Sequence, residues 1–197
     1  MNNNILLWIP ISYLLGSIPM GVLVSKLFRL SDPRTAGSRN IGATNVLRLG
    51  GKTAGLLTLL GDFGKGMLAV DISRAFIDPG PGLWACAIAA VLGHMFSVFL
   101  VFRGGKGVAT GYGVLVPIWP VIVVGILAIW LVTAVVTRYS SLAALISFAG
   151  LPIILAVMQK DPPAILFGTV LAVLIIIRHH SNIRRLIAGT ESKIGGK

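Results

Sequence analysis

The 197-residue sequence contains one cysteine, Cys86, and only six acidic residues. A single thiol excludes an internal disulfide framework and any metal site built from several cysteines. Charged residues of both signs make up 12% of the chain, about half the share found in soluble domains. Hydrophobic residues instead make up 55%, and the mean hydropathy is +0.90. The composition therefore predicts an integral membrane protein and excludes an ordinary soluble domain.

The net charge of +11 can indicate nucleic-acid binding, but the distribution of the basic residues favours another explanation. Lys and Arg stand in short segments between long apolar runs, as the positive-inside rule expects of cytoplasmic loops. Membrane orientation explains the charge more simply, so we expect no nucleic-acid partner.

Apolar runs define the candidate membrane segments, several of them near the ~20 residues that cross a bilayer. They lie at 5–28, 53–72, 82–102, 111–137, 142–158 and 163–177. The first has no basic residues before it and no small-residue cleavage site, so we expect a span rather than a removable signal. The run 111–137 would be ~40 Å long as one helix and contains Pro117 and Pro120, so it can form two short spans.

The positions of Lys and Arg decide between six and seven crossings. With seven, 14 of the 17 basic residues fall on one side, whereas with six they divide eight against eight. We therefore predict an all-α polytopic membrane protein of about seven transmembrane helices, with the N-terminus outside and the C-terminus in the cytoplasm. A single domain is expected over 1–197, with cytoplasmic loops at about 29–52, 103–110 and 138–141 and a cytoplasmic tail at 178–197.

The first polar segment follows the first apolar run. It combines small residues, which allow close backbone approach, with neutral hydrogen-bonding side chains and arginines. That combination suits a polyol phosphate, although a polar loop with helix-capping residues would also contain Ser, Asn and Thr. The candidate ligand-binding residues are Ser38, Asn40, Gly42, Asn45 and Arg48.

A glycine-rich segment lies at 103–110, between two apolar runs. Its glycines let successive N–H groups turn toward an anion, and its lysine adds positive charge before a helix. The segment lacks the first glycine of a Walker A loop, so ATP binding is not indicated. A flexible basic turn is the alternative. The candidate ligands are Gly104, Gly105, Lys106, Gly107 and Thr110.

The third polar segment, 178–186, leaves the last apolar run. If the helix continued, Arg178, His179, Asn182 and Arg185 would share one face, which could meet an anionic site. A basic helix end that binds anionic lipid headgroups is the alternative.

Three ionisable residues lie within apolar runs. Asp62 and Lys65 are three residues apart and can pair, which lowers the cost of placing them in hydrocarbon. Structural pairing and lining of a site fit this pair equally well. His94 is favoured as a neutral, hydrogen-bonded histidine within the bundle, with indirect support of the nearby site as the alternative.

Together these segments resemble PlsY, the family of bacterial membrane glycerol-3-phosphate acyltransferases that use acyl phosphate as donor. The resemblance runs nearly end to end. The matching residues are Asp32-Pro-Arg34, Gly37-Ser38, Asn40, Gly42-Ala-Thr-Asn45, Asp62-Phe63, Lys65-Gly66, Gly93-His94, Gly104-Gly-Lys-Gly-Val-Ala-Thr110, Arg138-Tyr139, Ser141-Leu-Ala143, Arg178-His179, Asn182-Ile183 and Arg185-Leu186.

Two positions depart from the family pattern. Arg39 stands where the family commonly has glycine, and Ser97 stands where it commonly has proline. Arg39 puts the backbone of the first polar segment in question, because a position that needs a positive φ disfavours a side chain. Ser97 is expected to alter only a helix kink.

The resemblance implies seven spans and transfer of a fatty acyl group to the sn-1 hydroxyl of glycerol 3-phosphate, giving lysophosphatidate and phosphate without a cofactor or metal. An acyl phosphate is a mixed anhydride with a good leaving group, so cations and N–H donors are needed more than a protein nucleophile. The His-x4-Asp motif of acyl-CoA-dependent acyltransferases is absent after all three histidines, which argues against acyl-CoA as donor.

We expect Lys106 and the N–H groups of 104–107 to hold the acyl phosphate. The residues expected to position glycerol 3-phosphate are Ser38, Asn40, Asn45 and Arg48, and the reverse assignment of the two phosphates fits as well. His179 is either the general base or an orienting group for a substrate whose own phosphate accepts the proton. The polar ring is completed by Asn182, Ser141 and Arg185.

The expected location is the bacterial cytoplasmic (inner) membrane, with the active site on the cytoplasmic face. Expected partners are acyl phosphate, glycerol 3-phosphate and membrane lipid, and the upstream enzyme that forms acyl phosphate is a candidate. A transporter of a phosphorylated solute is the competing interpretation, because a charge pair within the membrane and cationic loops can line a path. The concentration of polar residues on one face favours the enzyme. A lipid-binding scaffold would leave the small and neutral polar residues unexplained.

Overall fold

A computed structural model describes residues 5–195, which form helices and connecting turns and include no β-strand. The all-α fold class predicted from the sequence is therefore confirmed. The chain groups into two compact units, Met1–Ile118 and Trp119–Lys197. That these units act as a single membrane domain stays a prediction.

The first unit contains five of the α-helices and one short 3-10 turn. The helices are α1 (Ile5–Ser17), α2 (Met20–Leu27), α3 (Ala43–Ser73), α4 (Pro81–Met95) and α5 (Val108–Leu115), and the turn is Val98–Leu100. Helix α1 packs on α4, and α3 packs on α5. Small residues permit these approaches: a Cβ added at Gly16 would collide with the carbonyl oxygen of Ala90, and one at Gly113 would collide with that of Phe63.

The second unit contains α6 (Pro120–Thr137), α7 (Ser140–Val157), α8 (Pro162–Arg178) and α9 (His180–Ile187). Helix α7 packs between α6 and α8, and its buried face includes Phe148, Leu151 and Leu155. Ser147 donates its hydroxyl to the carbonyl oxygen of Ile126 at 2.7 Å, which ties α7 to α6. The core of this unit is therefore largely apolar.

Proline and glycine set several helix boundaries. Helices α4, α6 and α8 each begin at a proline, a position where the missing N–H costs nothing. Helix α3 is kinked at Gly51, whose φ of 79° and ψ of −173° are not helical. The segment after this kink contains the apolar run predicted at 53–72.

Four helical stretches of the described residues are long and apolar enough to cross a membrane: Ile5–Leu27, Pro81–Leu100, Pro120–Thr137 and Ser140–Val157. A fifth is possible if α8 and α9, which are bent by 62°, count as one span. Many large apolar side chains are exposed along these helices, among them Leu6, Val124 and Val135. Such surfaces are expected of helices in contact with lipid.

The chain breaks within 111–137, as its prolines predict, and α5 and α6 lie on either side of residues 116–119. Helix α5 has eight residues and is about 12 Å long, so by itself it is too short for a hydrocarbon core of about 30 Å. The break is confirmed, whereas the seven crossings and the orientation of the termini stay predictions.

Candidate active site

The first polar segment is organised around the side chain of Asn45, in the first turn of α3. Its Oδ1 accepts the N–H of Ser38 at 2.8 Å. Its Nδ2 donates to the carbonyl oxygens of Pro33, Ala36 and Asn40 at 3.1, 3.1 and 2.9 Å. Asn45 is buried and its amide shapes the loop, and its contact with substrate stays a prediction.

Two further contacts fix this segment. Asp32 and Arg34 form an ion pair at 2.6 Å, and the hydrogen bonds from Arg34 lower the pKa of Asp32 to about 2. Asn40 Oδ1 accepts the N–H of Gly42 at 2.9 Å, at the N-terminus of α3. The N–H of Gly42 therefore supports the loop, and its place among the substrate-binding residues stays a prediction.

Arg39 has a φ of 55°, in the left-handed region. The concern raised by the sequence is therefore justified, because this chain carries a side chain where the family commonly has glycine. A non-glycine residue in this conformation costs roughly 1–2 kcal/mol. The loop keeps its shape nonetheless, since Asn45 ties it together at several carbonyls.

Three of the residues predicted in this segment remain accessible. Ser38 and Arg48 are exposed and Asn40 is half-buried. Ile41, which follows them, packs with Val22 and with Leu100 of the 3-10 turn. The structure thus brings the first polar segment together with the turn that leads into the glycine-rich segment.

The glycine-rich segment is anchored to the C-terminal end of α4. Gly104 donates its N–H to the carbonyl oxygen of Met95 at 3.1 Å, and Gly105 donates to that of His94 at 3.0 Å. Carbonyls at the end of α4 accept these two N–H groups, and the binding of a phosphate by Gly104 and Gly105 stays a prediction. Neither glycine tolerates a side chain: a Cβ at Gly104 would meet the His94 carbonyl oxygen, and one at Gly105 would meet the His94 ring.

The segment leads directly into α5. Gly107, with a φ of 83°, is the residue before Val108, where α5 begins, and Lys106 is half-buried beside it. The first N–H groups of a helix have no partner within it, and its dipole favours anions. The prediction that Lys106 binds an anion therefore extends to the N-terminus of α5 beside it.

Thr110 fixes the first turn of α5 against α3. Its side chain is fully buried, and its hydroxyl donates to the carbonyl oxygen of Asp62 at 3.0 Å. Substrate binding by Thr110 stays a prediction.

The predicted pair of Asp62 and Lys65 is confirmed, with Lys65 Nζ 2.7 Å from Asp62 Oδ1. His94 joins the pair, its Nδ1 lying 2.9 Å from Lys65 Nζ. All three side chains are buried. They lie behind the glycine-rich segment, which His94 contacts at Gly105.

In the second unit, Glu191 gathers the predicted polar residues. Its Oε1 accepts the Ser141 hydroxyl at 2.6 Å and Asn182 Nδ2 at 2.7 Å. Its Oε2 accepts Arg185 Nε at 2.7 Å. Burial opposes ionisation of Glu191, but these three hydrogen bonds outweigh it and lower its pKa. Ser141 and Arg185 thus share a contact with Glu191, and their binding of substrate stays a prediction.

The sequence interpretation missed Glu191. One signal was available: it is the chain's only glutamate, and it stands in a strongly basic tail. An isolated acid among arginines is more easily explained by a specific pairing than by solubility.

His179 lies at the corner between α8 and α9. Its ring is buried, and its Nδ1–H donates to the carbonyl oxygen of Ile175 at 2.8 Å. When the ring is neutral, Nε2 therefore carries the lone pair that a general base needs. The 62° bend here also corrects the expectation of one continuous helical face from Arg178 to Arg185.

Known proteins resemble this chain over nearly its whole length. Residues 6–189 match the family model described as glycerol-3-phosphate acyltransferase. A glycerol-3-phosphate acyltransferase of Bordetella pertussis is 48% identical and covers 96% of this chain and 91% of its own. One from Cereibacter sphaeroides is 50% identical, covering 95% of this chain and 88% of its own.

Two solved structures have the same fold. They are crystal structures of PlsY (YgiH), an integral membrane glycerol 3-phosphate acyltransferase, in its glycerol 3-phosphate and lysophosphatidic acid forms. Their TM-scores are 0.91 and 0.89 and their identities 37% and 36%, and in both cases 96% of this chain and 94% of the other are covered. These matches over nearly the whole length show that the chain belongs to the PlsY family of integral membrane glycerol-3-phosphate acyltransferases.

Proposed function

We propose that this protein transfers a fatty acyl group from acyl phosphate to the sn-1 hydroxyl of glycerol 3-phosphate, giving lysophosphatidate and phosphate. The observation that carries the acceptor is the similarity to PlsY structures in their glycerol 3-phosphate and lysophosphatidic acid forms. The donor is inferred from the anion-binding arrangement of Lys106 before α5 and from the absence of a His-x4-Asp motif.

The chemistry needs little from the protein beyond placement and charge. The acceptor hydroxyl attacks the carbonyl carbon of the mixed anhydride, a new ester C–O bond forms, and the C–O bond to phosphate breaks. Lys106 and the first N–H groups of α5 stabilise the charge that collects on the leaving phosphate. Ser38, Asn40 and Arg48 are assigned to glycerol 3-phosphate, because their side chains are accessible among the residues predicted to bind in the first segment.

His179 is assigned to the proton of the attacking hydroxyl. The hydrogen bond from Nδ1–H to Ile175 leaves Nε2 as the acceptor in the neutral ring, which is the form a general base requires. Asn182 is assigned a supporting catalytic role, with its amide held by Glu191. The remaining residues assigned to substrate binding also hold their segments in shape: Gly42, Asn45, Gly104, Gly105, Thr110, Ser141 and Arg185.

We also propose that the protein works in the bacterial inner membrane, with its reacting groups on the cytoplasmic face. The basic residues of the polar segments support this side under the positive-inside rule. Its partners are then the two phosphorylated substrates and membrane lipid. The enzyme that forms acyl phosphate is a further candidate partner.

A donor comparison tests the proposal. Purified protein in lipid is given labelled glycerol 3-phosphate with either a saturated acyl phosphate or the matching acyl-CoA. We expect lysophosphatidate and an equal amount of phosphate from acyl phosphate, and very little product from acyl-CoA. Comparable product from acyl-CoA would exclude the donor assignment. Uptake of a phosphorylated solute into vesicles without acyl transfer would support the transporter instead.

A further inference from the structure

A buried charged cluster lies behind the glycine-rich segment and takes no part in the steps proposed above. The side chains of Asp62, Lys65 and His94 are 2%, 5% and 4% exposed. Burying an ion pair is costly, and well-packed apolar residues often stabilise a core equally well. The burial of this cluster behind the glycine-rich segment therefore calls for an explanation other than stability.

The ammonium group of Lys65 forms an ion pair with Asp62 Oδ1 at 2.7 Å and hydrogen bonds with the carbonyl oxygen of Ile18 at 2.6 Å and with His94 Nδ1 at 2.9 Å. His94 Nδ1 also lies 3.3 Å from Asp62 Oδ1, but that oxygen receives no hydrogen bond from the described residues, so the shorter contact with Lys65 governs Nδ1. Because a lysine ammonium only donates, Nδ1 of His94 accepts from it. The imidazole is therefore held as the neutral tautomer that carries its hydrogen on Nε2.

The Nε2 edge of His94 faces the glycine-rich segment. It lies so close to Gly105 that an added Cβ would collide with Nε2. The backbone carbonyl of the same histidine accepts the N–H of Gly105. His94 thus holds Gly105 both by its main chain and by its ring, one residue before Lys106.

The main chain of Asp62 supports the other end of the segment. The carbonyl oxygen of Asp62 accepts the hydroxyl of Thr110 in the first turn of α5. A Cβ at Gly66 would collide with the carbonyl oxygen of Thr110, so α3 and α5 meet closely there. The cluster therefore touches the segment on both sides of Lys106.

We propose that Lys65 is a positioning residue: by fixing His94 as its Nε2–H tautomer against Gly105, it holds Lys106 and the start of α5 in their anion-binding geometry. This inference rests on the proposed function of the glycine-rich segment. Asp62 supplies the opposite charge beside Lys65 in the core. None of the three residues needs to touch substrate.

The kinetic test removes both charges together. Replacing Lys65 alone would strand the buried carboxylate of Asp62, which can prevent folding, so the variant is Asp62→Asn/Lys65→Met. We expect the KM for acyl phosphate to rise about tenfold, as loss of ~1.4 kcal/mol of binding predicts, with the KM for glycerol 3-phosphate little changed. Asp71→Asn/Arg74→Met is the matched control, because that pair has the same spacing on α3 but is exposed. It should leave both constants unchanged.

A second pair of variants separates positioning from packing. His94→Gln places an amide nitrogen near the position of Nε2 and should retain most of the activity, whereas His94→Asn reaches only the Nδ1 position and should behave like the double variant. Unchanged KM values in a folded double variant, or equal loss in His94→Gln and His94→Asn, would overturn the proposal. A rise confined to the KM for glycerol 3-phosphate would support positioning but assign the segment to the other phosphate.

A spectroscopic readout does not depend on the donor. The ¹⁵N chemical shifts of the His94 ring, identified by their loss in His94→Gln, should show the Nε2–H tautomer in the wild type. They should show a mixture in Asp62→Asn/Lys65→Met. A wild-type ring protonated on Nδ1 would refute the inference even if acyl transfer from acyl phosphate were established. Conversely, a failed donor comparison would leave this result standing.

Discussion

Arg39 illustrates how one residue can be kept at a position that disfavours it. Its φ of 55° puts its backbone in the left-handed region, where a residue with a Cβ is disfavoured. The four hydrogen bonds of Asn45 hold the surrounding loop in that conformation. Arg39→Gly should therefore raise the free energy of unfolding by about 1 kcal/mol. Arg39→Ala, which also removes the charge but keeps the Cβ, should show no such gain in denaturant unfolding. Equal stabilisation by both would point to charge rather than backbone strain.

His179 offers a test with a neighbouring control. If Nε2 accepts the proton, His179→Gln should lower kcat by about 100-fold or more, since general-base catalysis contributes 10²–10⁴-fold. His180→Gln changes the exposed adjacent histidine and should have little effect on initial rates of lysophosphatidate formation. A His179→Gln variant with full turnover would exclude the base and leave the substrate's own phosphate as the acceptor.

Residue types were easier to predict than residue partners. The sequence indicated that Asn45 and Thr110 lie at the site, but a ligand and a backbone carbonyl attract the same polar groups. Only the fold shows that Asn45 is occupied by loop carbonyls and Thr110 by Asp62. Glu191 was missed because its partners, Ser141 and Asn182, are 50 and nine residues away along the chain.

At the scale of elements, we expect two glycines, one in the glycine-rich segment and one in α3, to respond differently to substitution by alanine. Gly105→Ala would drive a Cβ into the His94 ring, so we expect loss of acyl transfer and about 1–3 kcal/mol of stability. Gly64→Ala, in α3, meets no heavy atom within 4 Å and should stabilise the helix by up to about 1 kcal/mol. Thermal unfolding and initial rates measured on both variants check this. Similar behaviour of the two would contradict the close packing of His94 on the segment.

Glu191, in the C-terminal tail, is expected to make the stability of the protein depend on pH. Hydrogen bonds from Ser141, Asn182 and Arg185 lower the pKa of Glu191 below its ordinary value of 4.5 despite burial. A lowered pKa in the folded state stabilises the protein above the unfolded pKa, and this contribution is lost as pH falls through the folded value. Glu191→Gln should therefore cost about 1–2 kcal/mol at neutral pH, and the difference from wild type should shrink below pH 4.5. A difference that stays constant with pH would show that ionisation of Glu191 is not responsible.

Element boundaries followed the sequence where proline marks them and departed from it elsewhere. Pro81, Pro120 and Pro162 start helices, and the break within 111–137 was predicted from its prolines. The bend at His179 has no proline or glycine to signal it. A helical pattern of charges continues across it, so spacing alone predicted one straight face.

For the whole molecule, composition and charge were enough to predict a helical membrane protein. Both are determined by the membrane and water around the chain rather than by particular contacts within it. The number of crossings is harder to predict. Helix α5 is too short to span by itself, and the length of an apolar run does not reveal how short helices sit in a bilayer.

Reporter fusions test the orientation. With seven crossings, alkaline phosphatase fused after residue 78 or residue 160 should be active outside, and a fluorescent protein at the C-terminus should fluoresce in the cytoplasm. Six crossings would reverse the results at residue 160 and at the C-terminus while leaving residue 78 unchanged. The fusion at residue 78 therefore serves as the internal control.

The bonds from Gly104 and Gly105 to the end of α4 have a consequence for how a ligand is received. Helix ends leave carbonyls without partners, and here the same short segment satisfies those of α4 while it delivers the chain to α5. One stretch of backbone is thus the cap of one helix and the approach to the next. Because contacts within the protein already order this segment, an anion would bind to a preorganised surface. None of the anion's binding free energy would then be lost in folding the loop.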